Sequence, residues 1–140
     1  MNVKQDIVDR EYSEMGFDVL LDDLLTELKA RNYRVTRVNH IDNIYDRVEA
    51  GIDVSVEFKR YKIVEFCNLN SCSELISADL LAGVFMPVKF IVYQKLDDLA
   101  SHVAFLKPTA FAKLFESDEL TRVAVQLEDD MNHVLDELDW

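Results

Sequence analysis

The chain is short of the residues that punctuate or staple a fold: its 140 residues include three glycines, two prolines, two cysteines and one tryptophan. With so little glycine and proline, no tract of biased composition and no repeat at a fixed period, linker-like, disordered and solenoid architectures are excluded. Two cysteines cannot supply the disulfide framework on which small secreted domains depend. Bases are scarce as well, at 15 against 27 acids, for a net charge of −12. Phosphate backbones and anionic bilayers are both bound through lysine and arginine, so neither nucleic acid nor a membrane is expected as a partner. No apolar run approaches the ~20 residues that cross a bilayer. The opening Met1-Asn2-Val3-Lys4-Gln5-Asp6 also lacks the apolar stretch of a secretory signal. The expected address is a bacterial or archaeal cytoplasm, where cysteines rest as thiols.

What the chain has is apolar residues, at 49% of the sequence. A chain of this length buries roughly two-thirds of the surface it exposes when unfolded, so one domain over residues 1–140 is expected to stand without staples. The surplus acid lies at the two ends: residues 1–30 carry eight acids against three bases and residues 113–140 nine against two. Such acid is either the solvated face of helices or, on the C-terminal helix, a docking surface for a basic partner.

Periodicity gives the elements. Residues 17–31 read as a helix with Asp18 as N-cap, an apolar stripe of Leu20, Leu21, Leu24, Leu25 and Leu28, and Asn32 in the left-handed closing position. Val3, Ile7 and Val8 before it suit a short helix or an edge strand equally. Tyr33 to Ile41 alternates as a half-buried strand, Asp42 to Ala50 forms a helical turn closed by Gly51, and Ile52 to Phe58 alternates weakly. Tyr61 to Cys67 is a stronger strand. Asn70 or Ser71 then caps a helix running to about Leu81, with Leu75, Ile76 and Leu80 inward and Gly83 at its end. Phe85 to Gln94 is a strand, Leu96-Asp97-Asp98 a turn, and Ser101 to Leu106 its antiparallel partner. Pro108 opens a helical turn, and Ser117 caps a long final helix striped by Leu120, Val123, Ala124, Leu127, Met131, Val134, Leu135 and Leu138. This order implies an α+β fold with a mostly antiparallel sheet covered on one face.

The soft nucleophiles are Cys67 and Cys72, with four residues between them. Cys67 at a strand end beside a helix N-terminus is a candidate nucleophile or sulfur-accepting thiol, against the plainer reading of a small apolar core residue. Cys72, nearer the helix start, carries the same two readings, and a reversible Cys67–Cys72 disulfide is a third. Asn68 suits a turn that binds its own backbone, or a ligand contact. Tyr61, Phe66, Phe85, Phe90, Tyr93 and Phe105 either line an apolar cavity between sheet and helix or fill the core, and Lys62 and Lys89 are candidate cations at its mouth. His40, His102 and His133 are scattered, with His102 the best placed of them, so no metal and no cofactor are expected. There is no phosphate loop, nucleophile elbow or Ser/His/Asp grouping.

Four features together resemble the prokaryotic family known as domain of unknown function 302: the long helix followed by Tyr33, the run Tyr61-Lys62-Ile63-Val64-Glu65-Phe66-Cys67-Asn68, the helix after it, and Phe85-Met86-Pro87-Val88-Lys89-Phe90-Ile91-Val92-Tyr93. The resemblance covers residues 17–106 as a family core, with 1–16 a lead, an insertion over 42–60, and 107–140 a helical extension. It implies a bent, mostly antiparallel sheet gripped by a long helix, of the TATA-binding-protein-like group, a homodimer, and the company of sulfur-metabolism and redox proteins. It brings no reaction with it. The expectation is an accessory protein that holds a small molecule or sulfur species, with Asn68, Tyr61, Phe85, Pro87, Tyr93 and His102 as ligand contacts. A thiol enzyme or sulfur carrier using Cys67 is one alternative, and an assembly protein docking through its C-terminal helix is another.

Overall fold

The computed structural model describes residues 2–49, 51 and 55–138. A short helix α1 (Val3–Asp6) leads into β1 (Ile7–Tyr12), followed by α2 (Phe17–Ala30), β2 (Arg34–His40), a 3-10 turn and α3 (Ile44–Glu49). Next come β3 (Phe58–Cys67), α4 (Leu69–Ala78), a second 3-10 segment (Leu80–Phe85), β4 (Val88–Lys95), β5 (Ser101–Leu106), α5 (Pro108–Ala112) and α6 (Asp118–Leu138). The strands form one antiparallel sheet in the order β1-β5-β4-β3-β2. The α+β class and the antiparallel sheet packed against long helices are as the sequence implied.

The two long helices exist because their apolar stripes need a partner. Leu20, Leu24 and Leu28 of α2, and Leu120, Val123, Ala124, Leu127, Met131, Val134, Leu135 and Leu138 of α6, share one core with Val64, Phe66, Val88, Phe90, Val92, Val103 and Phe105 of the sheet. Tyr33 ties the end of α2 to α6: its hydroxyl donates to Asp130 Oδ2 at 2.7 Å. Burial, then the Asp130 carboxylate, holds this phenol well above its ordinary value, so it stays a donor. Ser117 caps α6 as expected, its Oγ accepting from the Leu120 N–H at 3.2 Å.

Several boundaries differ from the sequence reading, each for a local reason. Gly16, not Asp18, is the N-cap of α2; Asp18 lies in the first turn and accepts instead from Arg60 at 2.8 Å. Asn32 does take the left-handed conformation, at φ 65°. The N-terminal segment is both a short helix and an edge strand. β3 begins at Phe58, upstream of Tyr61, while the weak alternation over 52–54 lies outside the described residues. α4 is capped by Asn68 rather than Asn70 or Ser71 and stops at Ala78, because Asp79 turns its side chain to the Leu81 N–H at 2.9 Å and starts a new turn. That break leaves Leu80 81% exposed rather than inward. The Met86–Pro87 peptide is cis, and β4 begins at Val88 rather than Phe85.

Candidate functional site

Strand alternation sorts side chains between the helix-covered face of the sheet and the opposite one. Lys62, Val64 and Phe66 face the helices, so Tyr61, Ile63, Glu65 and Cys67 face away. On this outer face the cross-strand pairs Tyr61↔Tyr93 and Tyr93↔His102 place three rings in a row. Tyr61 stacks on Tyr93 at 6.0 Å, and Tyr93 on His102 at 4.7 Å with 13° between planes. Asp9 of β1 closes the row: one carboxylate oxygen accepts from the Tyr93 hydroxyl at 2.6 Å, and the other lies 3.2 Å from His102 Nδ1. Burial, then Asp9, raises the Tyr93 phenol well above its usual value, which keeps it protonated. An ionised carboxylate only accepts, so His102 Nδ1 is the donor in this contact, and in the neutral imidazole Nε2 then keeps its lone pair. Among the described residues Nε2 is buried and has no hydrogen-bond partner. Glu11, the cross-strand partner of His102, and Asp98 in the turn before β5 bring their carboxylates into the same space.

A cavity of about 330 Å³ opens at the end of the sheet where β4 begins. Phe85, Met86 and Pro87 form one wall and Phe105, Leu106 and Phe111 another. The Phe85 ring lies flat on Phe111 at 4.8 Å, which fixes the wall. Lys89 is the charged residue of the lining, and it is exposed. Among the described residues its ammonium group makes no ion pair.

Cys67 and Cys72 are joined by a disulfide, with their Cα atoms 6.6 Å apart. This corrects the expectation of thiols at rest. The cause is the tight junction between β3 and α4: Asn68 accepts from the Asn70 and Ser71 N–H groups, and the Cys72 N–H donates to Asn68 O at 2.9 Å. The first helical turn therefore folds Cys72 back over the strand end. Cys67 is half-buried beside a recess of about 190 Å³ lined with Arg34, Val35, Thr36 and Leu69.

The sequence candidates thus fall in three places. Phe85 and Pro87 meet at the cavity; Tyr61, Tyr93 and His102 meet on the outer face; Cys67, Asn68 and Cys72 meet at the strand–helix junction. Phe66 and Phe90 are core, stacked at 5.0 Å, and Phe105 sits in the core with an edge on the cavity. Lys62 is not at a cavity mouth: it is buried, and its Nζ donates to Asp42 at 2.8 Å. His40 and His133 are exposed and apart from these groups. Sequence reasoning missed Asp9, Glu11 and Asp98. The only signal for the first two was the alternation Ile7, Asp9, Glu11 in a segment whose pairing partner lies near the other end of the chain.

Fold and sites together define a small α+β domain built on a five-stranded antiparallel sheet, with one face under helices and a ring-lined second face. Residues 8–138 match the family model described as Domain of unknown function DUF302, and the chain belongs to that family. The match includes β1 and all of α6. Among solved structures, the chain is similar to an uncharacterized conserved DUF302 protein from Bacillus stearothermophilus, with a TM-score of 0.78 and 24% identity over 93% of this chain and 95% of that one. No curated protein matches. No helix of the described residues is long and apolar enough to cross a membrane.

Proposed function

We propose that this protein is a cytoplasmic accessory protein that acts as a homodimer and holds a small amphipathic acid in the cavity beside Pro87. The apolar body of the ligand lies against Phe85, Phe105 and Phe111, and its anionic group meets Lys89. The observation that carries this reading is the pairing of an apolar cavity with one lysine at its rim that makes no ion pair among the described residues. About 330 Å³ is at the small end of ligand sites and suits a compact molecule. Leu80, Leu81 and Val84, exposed at 81%, 70% and 79%, support the dimer: they form an apolar strip in one segment, and Val84 also lines the cavity.

Octanoate is a suitable probe, with octanol as its uncharged counterpart. Calorimetry is expected to show saturable octanoate binding that weakens at least tenfold in Lys89→Met, while octanol binding is unchanged, since the lost contact is worth about 1.4 kcal/mol or more. Equal octanoate affinity in wild type and Lys89→Met would remove Lys89 from the reading. No binding of either probe would remove the cavity.

The disulfide favours a second reading, a sulfur relay. Two electrons and two protons from a cellular dithiol open the Cys67–Cys72 bond. The Cys67 thiolate then takes a sulfur atom from a polysulfide, which leaves one sulfur shorter, and Cys72 attacks Cys67 to expel hydrosulfide and restore the disulfide. Intact mass after reduction and polysulfide treatment should show a one-sulfur adduct in Cys72→Ser that is missing in Cys67→Ser. Adducts at neither cysteine would end this reading.

A further inference from the structure

We infer that the outer face of the sheet holds a divalent transition-metal ion, bound by Glu11, Asp98 and His102. These three residues offer ligand atoms that all lie within 4.8 Å of one another. They come from three separate parts of the chain: β1, the turn after β4, and β5. The second observation is the imidazole itself. His102 is 9% exposed, and its Nε2 is buried without a hydrogen-bond partner among the described residues. A buried, unpartnered nitrogen loses hydration and gains nothing in return, unless something sits in front of it.

The ring is also held as a metal ligand needs to be. Asp9 engages Nδ1 at 3.2 Å and Tyr93 stacks flat against the ring, so its orientation is set before any ion arrives. Tyr93 in turn fixes Asp9 through its hydroxyl. A carboxylate that holds one ring nitrogen leaves the other to the metal, which is the usual second layer of a histidine metal site. Asp98 is fixed as well, because one of its oxygens accepts from the Ala100 N–H at 2.9 Å and leaves the other free. Ligand bonds of about 2.0–2.2 Å bring donor atoms to roughly 3.3 Å from each other in a tetrahedral site, so some closure is needed. Glu11 is exposed and can supply it without disturbing the core.

One imidazole and two carboxylates select zinc, cobalt, manganese or iron over magnesium, and three protein ligands leave at least one position open for water or an anion. The ion would also clip the edge strand β1 to the β4–β5 hairpin.

The test uses Co2+ as a coloured probe, on protein with the Cys67–Cys72 disulfide intact so that thiolates do not compete. Equilibrium dialysis should find one Co2+ per chain, with visible d–d absorption that Zn2+ displaces and equimolar Mg2+ does not. His102→Gln should weaken binding at least 100-fold. Glu11→Gln, on an exposed side chain that leaves folding intact, should weaken it at least tenfold and change the absorption. Absence of stoichiometric Co2+ in the wild type, or an unaltered affinity and spectrum in Glu11→Gln, would overturn the assignment.

Discussion

A chain ending at Ser117 is expected not to fold. The eight buried side chains of α6, from Leu120 to Leu138, are part of the same core as the sheet and α2. The seven larger than alanine are each worth about 1.5–3 kcal/mol on burial, and their sum of roughly 10–20 kcal/mol is as large as the 5–15 kcal/mol by which a domain of this kind is stable. The helix is also bolted on by polar contacts. The Tyr12 hydroxyl donates to Leu135 O at 2.8 Å, Tyr33 to Asp130, and Arg10 pairs with Asp136 at 2.5 Å. Far-ultraviolet circular dichroism of the truncated chain should show no cooperative unfolding transition. A sharp transition with most of the native signal would mean that α6 is an addition to a self-sufficient sheet, and would favour a docking role for its acidic face. The full match of the family model through residue 138 fits the first outcome.

That helix was also the most legible part of the sequence, together with α2 and the β4–β5 hairpin. In each, the apolar spacing matches the period of the element, and a residue of fixed local chemistry marks an end: Ser117 before α6, Asn32 after α2, Asp97 at φ 58° in the turn. Local chemistry also explains the errors. Asn68 and Asn70 are equally good caps on paper, and only the tight exit from β3 selects Asn68. Leu80 falls on the inward stripe of an α-helix only if the helix continues through Asp79, and it does not. The candidate sites were less legible because they depend on pairing at a distance. The alternation of β3 and β4 shows that Tyr61 and Tyr93 share a face, but nothing near His102 announces that Glu11 lies across from it and Asp9 diagonally beside it on an edge strand. Glu11 and Asp98 are ordinary acids until the register brings them together. The cysteines were legible as a pair. Their state depends on how sharply α4 folds back, which spacing alone does not fix.

Asp42 is the residue whose single replacement should cost most for its size. Its carboxylate is buried and accepts from Lys62 Nζ at 2.8 Å, from the Tyr61 N–H at 3.2 Å and from Arg60 Nε at 3.3 Å. Asp42→Ala leaves the buried Lys62 ammonium unpaired, and breaking such a pair on one side costs about 3–5 kcal/mol. The effect carries a pH signature. Burial pushes the Asp42 carboxyl up, but the bonds from Lys62, the Tyr61 N–H and Arg60 together outweigh it and hold the group below its ordinary value. The folded state therefore binds this proton less tightly than the unfolded chain does. The contribution is complete above the unfolded carboxyl value of about 4 and is lost as pH falls through the folded one. Denaturant midpoints measured from pH 7 down to pH 2 should fall more steeply for wild type than for Asp42→Ala, so the two curves converge in acid. The double variant Asp42→Ala/Lys62→Met should recover much of the loss at neutral pH, because an apolar pair in place of a buried ionic one is often neutral. Parallel pH curves, or a loss below about 1 kcal/mol in Asp42→Ala, would show that water reaches the Lys62 ammonium and that the pair is a surface one in energy.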